Sequence, residues 1–292
     1  MRGPAQGALA SFSTLLLTLV MPPMAIISNA LVAFIWLRLG PAKGAMAVGI
    51  ALAAGTIVAA VSGFPLIPAT LMLSFWLPVI LMAHVLRKTV SLDLAILAGA
   101  VLALAGVLIT YVVLDHPSEA WQGVVAQVTE AAEQSTGNTN SEQAVSFLAN
   151  AGSWMTGFSA ATQLVMAVCS LLLARVWQAR MFNPGGLQQE FHGLRFGMMA
   201  GLAGLVIVLA AAFLQIELFT NLAIVVMVVF GFQGLAVLHS LVAQFKLNVF
   251  LLVAVYVMLL IAAPTSIKLI GLIGLADTWV DFRNRLGGFR KD

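Results

Sequence analysis

The chain is written as long apolar runs with short polar clusters between them. The runs fall near residues 7–21, 24–39, 44–63, 66–86, 93–114, 153–177, 196–214, 219–242, 247–263 and 265–280. A helix needs roughly 20 apolar residues at 1.5 Å each to cross the hydrocarbon of a bilayer. The pattern therefore predicts an all-α protein, a polytopic transmembrane helical bundle of about nine or ten spans that forms a single integral membrane domain over 1–292. N-terminal spans cover 7–114, a polar loop covers 115–150, further spans cover 153–281, and a basic tail covers 282–292. Prolines punctuate the runs at Pro22-Pro23, Pro65, Pro68, Pro78 and Pro264. Within a membrane such breaks survive where neighbouring helices or a cavity satisfy the freed backbone groups. The Pro22-Pro23 pair leaves open whether the first two runs are separate spans or one kinked element. Arg2 gives the first run the look of a signal peptide, but the apolar runs that follow favour a span.

Composition sharpens this picture. Of the 292 residues, 61% are hydrophobic and 9% charged, and the mean hydropathy is +1.04. Soluble domains carry about 25% charged residues, so this chain has too few ionic groups to cover a water-facing surface. A soluble enzyme is excluded, and so is a disordered chain, which needs low hydrophobicity and high charge. The net charge of +3 comes from clusters between spans, the mark of cytoplasmic loops and not of a nucleic-acid-binding surface. With Arg2 inside and the runs alternating, cytoplasmic segments collect 13 of the 14 Lys and Arg residues, all but Lys268. This places both termini in the cytoplasm. It also divides the last apolar stretch at Pro264, because one uninterrupted 247–280 helix would carry the Arg283–Lys291 tail outside. Lys268 then snorkels to the outer interface. Cys169 is the single cysteine, so no intrachain disulfide or cysteine-based metal site forms; it reads as a small buried hydrophobe.

Between Lys88 and Arg175 there is no Lys or Arg, and the polar segment 115–150 carries Asp115, Glu119, Glu130, Glu133 and Glu142. It reads as an acidic, amphipathic extracytoplasmic loop. Ser118 is placed to cap a helix with Glu119 in its first turn, and Trp121, Val124, Val125, Val128 and Ala132 share one face. A turn at 135–140 leads to a second short helix at 142–150. The loop either rests on the outer leaflet or closes over an outward-facing pocket, and its charge repels anions.

Chemistry-bearing patterns are few. There is no phosphate-binding glycine loop and no dinucleotide fingerprint. His84, His116, His192 and His239 are isolated, without the i, i+4 pairing that holds a metal. No cofactor and no metal are expected. Gly157-Phe158-Ser159-Ala160 resembles the serine motif of rhomboid-type intramembrane proteases, with His239 as the imaginable base. By helical rise, however, Ser159 lies about 9 Å from the outer surface and His239 about 30 Å, beyond the reach a serine and its base require. The chain is therefore expected not to be an enzyme. Polar residues inside spans are costly and mark candidate sites. Gln163, Gln233 and Tyr256 fall near mid-depth, Asn29 lies in the second run, and His239 sits near the inner interface. Each also suits an interhelical hydrogen bond. No ionisable residue falls near a span centre, which argues against ion-coupled antiport. Stripes of small residues at Gly197-Gly201-Gly204 and Ala45-Gly49-Ala53 predict close helix packing.

The densest polar constellation runs from Asn183 to Arg195. Asn183-Pro184-Gly185-Gly186 makes a tight turn, and Glu190 favours the positive end of a new helix that starts there. From Gly274 to Arg285 the chain leaves the membrane with Asp277, Asp281 and Arg285 spaced by four along one helix face. The two segments are expected to meet through Glu190 or Asp281 with Arg195 or Arg283.

These segments, with Gln233-Gly234-Leu235-Ala236-Val237-Leu238-His239, resemble the three signatures of the YybS-like family of bacterial multi-pass membrane proteins. The likeness extends over essentially the whole chain. That family is distantly similar to the substrate-binding membrane subunits of energy-coupling-factor vitamin transporters, which are all-helical, bind a small molecule and dock on a membrane partner. Two readings follow. In the first, a non-enzymatic inner-membrane protein binds or helps move a small molecule, with Gln163, Gln233 and Tyr256 lining a mid-membrane pocket near His239. In the second, a membrane scaffold or assembly factor presents the 183–195 turn and its basic tail to a membrane or cytoplasmic protein partner or to anionic lipid.

Overall fold

The computed structural model describes residues 4–17, 21, 24–61, 67–136, 142–182 and 184–288. They form α1 (Pro4–Leu17), α2 (Met24–Leu39), α3 (Pro41–Val61), α4 (Ile67–Thr89), α5 (Leu92–Val113), α6 (Pro117–Thr136), α7 (Glu142–Phe182), α8 (Gly186–His192), α9 (Gly197–Leu214), α10 (Glu217–Phe245), α11 (Phe250–Ile261), α12 (Ala263–Val280) and α13 (Phe282–Gly288). No strand occurs among the described residues, and the protein is an all-α polytopic bundle. Among the described residues, four helical stretches are long and apolar enough to cross a membrane: Leu92–Val113, Ala151–Met181, Gly197–Leu214 and Glu217–Phe245. Met24–Leu39, Pro41–Ile57 and Phe250–Ile261 are apolar but shorter. The Pro22-Pro23 break, residues 137–140 of the expected 135–140 turn and the last four residues of the tail lie outside the described residues, while Ser135 and Thr136 still belong to α6.

Several boundaries differ from the sequence pattern for local reasons. Helix α6 begins one residue before Ser118. Pro117, whose missing N–H is no loss at a first helical position, opens it, and the His116 carbonyl accepts from the Glu119 N–H at 3.1 Å. The expected short helix at 142–150 is the opening of α7, which continues for 41 residues, about 60 Å at helical rise. Helix α5 begins as a cap predicts, with Ser91 Oγ accepting from the Leu94 N–H at 3.2 Å.

The chain divides into two compact units, Met1–Gly99 with Gln163–Phe196, and Ala100–Thr162 with Gly197–Asp292. In the first unit, α1 to α4 pack around Phe12, Val32, Ile35 and Trp76. A polar thread crosses three of these helices. Trp76 Nε1 donates to Ser28 Oγ at 3.1 Å, and that hydroxyl donates to the Ser11 carbonyl at 2.8 Å. The expected Ala45-Gly49-Ala53 contact stripe of α3 is exposed instead, and Gly44, Ala47 and Ala51 are buried. The cause is Trp36, whose Cε3 would stand 2.5 Å from a Cβ on Gly44. Only a glycine lets the indole lie there, and that fixes the rotation of α3.

The second unit is built on α9, α10 and α12. A Cβ on Gly271 would meet the Met227 carbonyl at 2.6 Å, and one on Gly274 would overlap the Phe230 carbonyl. One turn further along both helices, Gln233 reaches Asp277. Each step advances both chains in the same direction, so α10 and α12 run parallel with their backbones in contact. Helix α9 runs against them, with Gly204 under Phe230 and Gly201 under Thr278. Two of its three stripe glycines thus work as the spacing predicts, while Gly197 has open space around it and opens the helix at φ 80°.

Parallel neighbours require the intervening α11 to bring the chain back. The break that allows this is at Ala262 (φ −126°, ψ 47°), two residues before Pro264. Ser266 Oγ donates to the Met258 carbonyl at 2.9 Å. In a continuous helix, residues eight apart are separated by about 12 Å along the axis, so α11 and α12 fold back on one another. None of the side chains of α11 is buried.

Candidate functional site

The best-organised polar group in the second unit lies where α12 ends. Asp281 adopts a left-handed conformation (φ 54°) that stops the helix and swings α13 back across its end. This interrupts the expected Asp277-Asp281-Arg285 face and brings Arg283 over Asp277. Arg283 Nη2 donates to Asp277 Oδ2 at 2.7 Å, and the Phe282 N–H donates to Oδ1 at 3.0 Å. From α10, Gln233 Nε2 lies 3.2 Å from the same Oδ2 and 3.4 Å from Thr278 Oγ1. Asp277 and Gln233 are 0% exposed and Arg283 8%. A carboxylate near a helix C-terminus faces the negative end of the helix dipole, and a buried ion costs several kcal/mol unless it is paired. Arg283 and two N–H donors meet both demands. Asp281 turns to Asn284, accepting from its Nδ2 at 2.8 Å.

His239 and Tyr256 form a second pair, joining α10 to α11. His239 Nδ1 lies 2.8 Å from the Leu235 carbonyl, an acceptor, so Nδ1 carries the proton in the neutral ring. Nε2 is then an acceptor for the Tyr256 hydroxyl at 3.3 Å. The tyrosine is 44% exposed.

A third node, which the sequence pattern does not single out, is Asn221. It is fully buried. Its Nδ2, which carries two N–H donors, lies 2.7 Å from the Ser153 carbonyl, 2.8 Å from the Glu217 carbonyl and 2.9 Å from the Tyr111 hydroxyl. Its Oδ1 accepts from the Gly157 N–H at 2.5 Å. Ser153 and Gly157 are four residues apart on α7, so the side-chain amide grips both ends of one step of the helix ladder, in a stretch that is helical throughout. Gly157 permits this because a Cβ there would meet the Asn221 backbone. Beside it, Trp121 Nε1 donates to Thr156 Oγ1 at 2.9 Å and joins α6 to α7. The signal available in the sequence was an asparagine in an apolar helix, together with a glycine in another.

In the first unit the 184–195 segment folds as a turn, a short helix and an irregular link, with Gly185 at φ 86°. Asn183 lies outside the described residues, and Pro184 and Gly185 are exposed while Gly186 is buried. The helix expected to start here ends at His192, and α9 begins separately at Gly197. Glu190 does not use Arg195 but pairs with Arg175 of α7, whose Nε is 3.2 Å from Oε2. The Arg195 N–H donates to Asp93 Oδ1 at 3.2 Å. Gln163 is exposed on α7. A cavity in this unit, lined by Ser11, Gly44 and Trp76, has room for about one water.

Ser159 and His239 are engaged separately. Ser159 Oγ donates to the Thr156 carbonyl at 2.9 Å, and both ring nitrogens of His239 are engaged as described. Among the described residues no group of three or more His, Cys, Asp or Glu is placed to hold a metal ion.

The family described as "Predicted membrane protein (DUF2232)" matches residues 8–278, a range holding Asn221, Gln233, His239 and Asp277. The chain belongs to this family. No curated protein and no solved structure matches it. This DUF2232 protein is accordingly a multi-pass membrane protein in contact with the lipid bilayer.

Proposed function

We propose that this DUF2232 protein is a non-enzymatic membrane scaffold or assembly factor of the bacterial inner membrane. The observation that carries this reading is the use made of its interior polar groups. Gln233 is held by Asp277 and Thr278 and has no solvent exposure. His239 is held by Leu235 and Tyr256. Polar residues used this way lock helices together. At the surface, the turn at Pro184–Gly185 and the exposed Gln188 and Gln189 offer hydrogen-bonding groups to a partner. The distribution of Lys and Arg supports a cytoplasmic position for that turn and for both termini, with α6 on the opposite side. A photo-crosslinking residue at Gln188 or Gln189 in intact membranes tests the proposal. A discrete crosslinked protein, absent with the same residue at Leu108, is expected; no crosslink from either position overturns it.

The second reading, a carrier or binder of a small molecule similar to transporter substrate-binding subunits, draws on Gln163 and Tyr256. Both present polar groups on exposed helix surface. Native mass spectrometry of the purified chain separates the two readings. A co-purifying small molecule lost in Gln163→Leu or Tyr256→Phe favours the second.

A further inference from the structure

The first unit is strongly one-sided in charge. Its described residues include seven cations, Arg38, Lys43, Arg87, Lys88, Arg175, Arg180 and Arg195, against two acids, Asp93 and Glu190. Both acids are engaged, Glu190 by Arg175 and Asp93 by the Arg195 N–H. The exposed cations belong to one corner. Arg87 at the end of α4 donates to the Leu37 carbonyl at the end of α2. Its Nη2 would lie 3.3 Å from a Cβ on Gly40, in the α2–α3 turn. Lys88 follows directly, and Lys43 stands in the first turn of α3. Trp36 Nε1 and His84 Nδ1, 3.4 Å apart, hold the two helix ends together. Arg38 lies 5.9 Å over the Phe34 ring, and Phe34 meets Trp177 edge to face at 6.1 Å, which joins the end of α7 and Arg180 to the corner.

Helix dipoles do not balance this charge. The C-termini of α2, α4 and α7 supply about −0.5 each and the N-terminus of α3 about +0.5, which leaves most of the surplus uncompensated. The surface beside the cations is apolar. Met46 on α3 is 54% exposed, Val90 beyond Lys88 is 78%, Leu94 on α5 is 48%, and Met181 next to Arg180 is 49%. A cationic corner continuous with exposed hydrocarbon matches a molecule with an anionic head and apolar chains.

We infer that the corner formed by Arg38, Lys43, Arg87, Lys88 and Arg180 binds the headgroup of an anionic phospholipid, with the acyl chains lying on the exposed apolar surface at Met46, Val90, Leu94 and Met181. The test is native mass spectrometry of the full chain, titrated with dioleoylphosphatidylglycerol or dioleoylphosphatidylcholine. The anionic lipid is expected to bind at least ten-fold more tightly. The triple variant Arg38→Gln, Lys43→Gln, Lys88→Gln should lose about five-fold in affinity per charge removed, with phosphatidylcholine binding unchanged. A charge-preserving variant, Arg38→Lys with Lys88→Arg, should retain the preference, so a folding defect is separated from lost recognition. Equal affinity for the two lipids overturns the proposal. So does an equal loss in Lys268→Gln with Arg285→Gln in the other unit, which would mean diffuse attraction. Displacement of the lipid by millimolar inorganic phosphate would assign the corner to a free anion and also overturn it.

Discussion

Arg283 closes over Asp277, with Nη2 2.7 Å from a carboxylate oxygen on a residue with no solvent exposure. The two partners are not equivalent. Removing the arginine strands a carboxylate with no exposure, whereas removing the carboxylate leaves an arginine that is 8% exposed and whose long side chain can reach outward. Arg283→Gln is therefore expected to destabilise by about 3–5 kcal/mol and Asp277→Asn by less. The double variant should recover part of the loss. Unfolding in mixed micelles, read as a double-mutant cycle, measures this; purely additive effects would mean that the ion pair contributes nothing.

The glycine contacts between α10 and α12 supply a second prediction. A methyl at Gly274 overlaps the Phe230 backbone, while one at Gly231 finds nothing within 4 Å. Overpacking costs about 1–3 kcal/mol or more, and replacing glycine by alanine in a helix gains up to about 1 kcal/mol. Gly274→Ala should thus lower the melting temperature sharply, and Gly231→Ala should leave it level or raise it. Reversed signs would refute the backbone contact.

Asn221 allows a test of its bridging role on α7. In Asn221→Leu, the helical ladder of α7 still offers partners to the Ser153 carbonyl and the Gly157 N–H, so the cost should stay near about 1–2 kcal/mol. Amide exchange at Gly157 should survive, and exchange in the first turn of α10 should quicken. Gly157→Ala, which presses on the Asn221 backbone, should cost more than loss of the asparagine itself.

Helix α11 should be the first of the late helices to loosen. It buries none of its side chains, and Tyr256–His239 and Ser266–Met258 tie it down. Hydrogen bonds between membrane helices average about 0.6 kcal/mol. Tyr256→Phe with Ser266→Ala should therefore cost roughly 1–2 kcal/mol and speed deuterium uptake in 250–261 while 217–245 stays protected. Uniform uptake across both helices would show that α11 is held by something else.

Helix positions were legible in the sequence because a span announces itself by length and apolarity, and α2, α9 and α10 lie within a few residues of their expected limits. Rotation about the helix axis was not. Helix α3 is apolar on all sides, so Ala45-Gly49-Ala53 looks as good a contact face as Gly44-Ala47-Ala51, and a neighbouring helix's Trp36 decides between them. The ion pairs were also hidden. Asp277 and Arg283 are six residues apart, a spacing that puts them on different helix faces until Asp281 turns left-handed. Glu190 reaches Arg175 across the turn at Gly185. Asn221 lies at the edge of its apolar run, where a polar residue reads as the start of a helix and not as a bridge to another.

The reversal at Ala262 also bears on how the protein is made. Helix α11, at 12 residues, spans about 18 Å, well short of the roughly 30 Å of bilayer hydrocarbon. It cannot hold itself across the lipid as it leaves the ribosome. The reversal at Ala262 makes it one arm of a hairpin with α12. Where α11 lies is thus decided by α12, the other arm of the hairpin, whose Gly271 and Gly274 seat on α10.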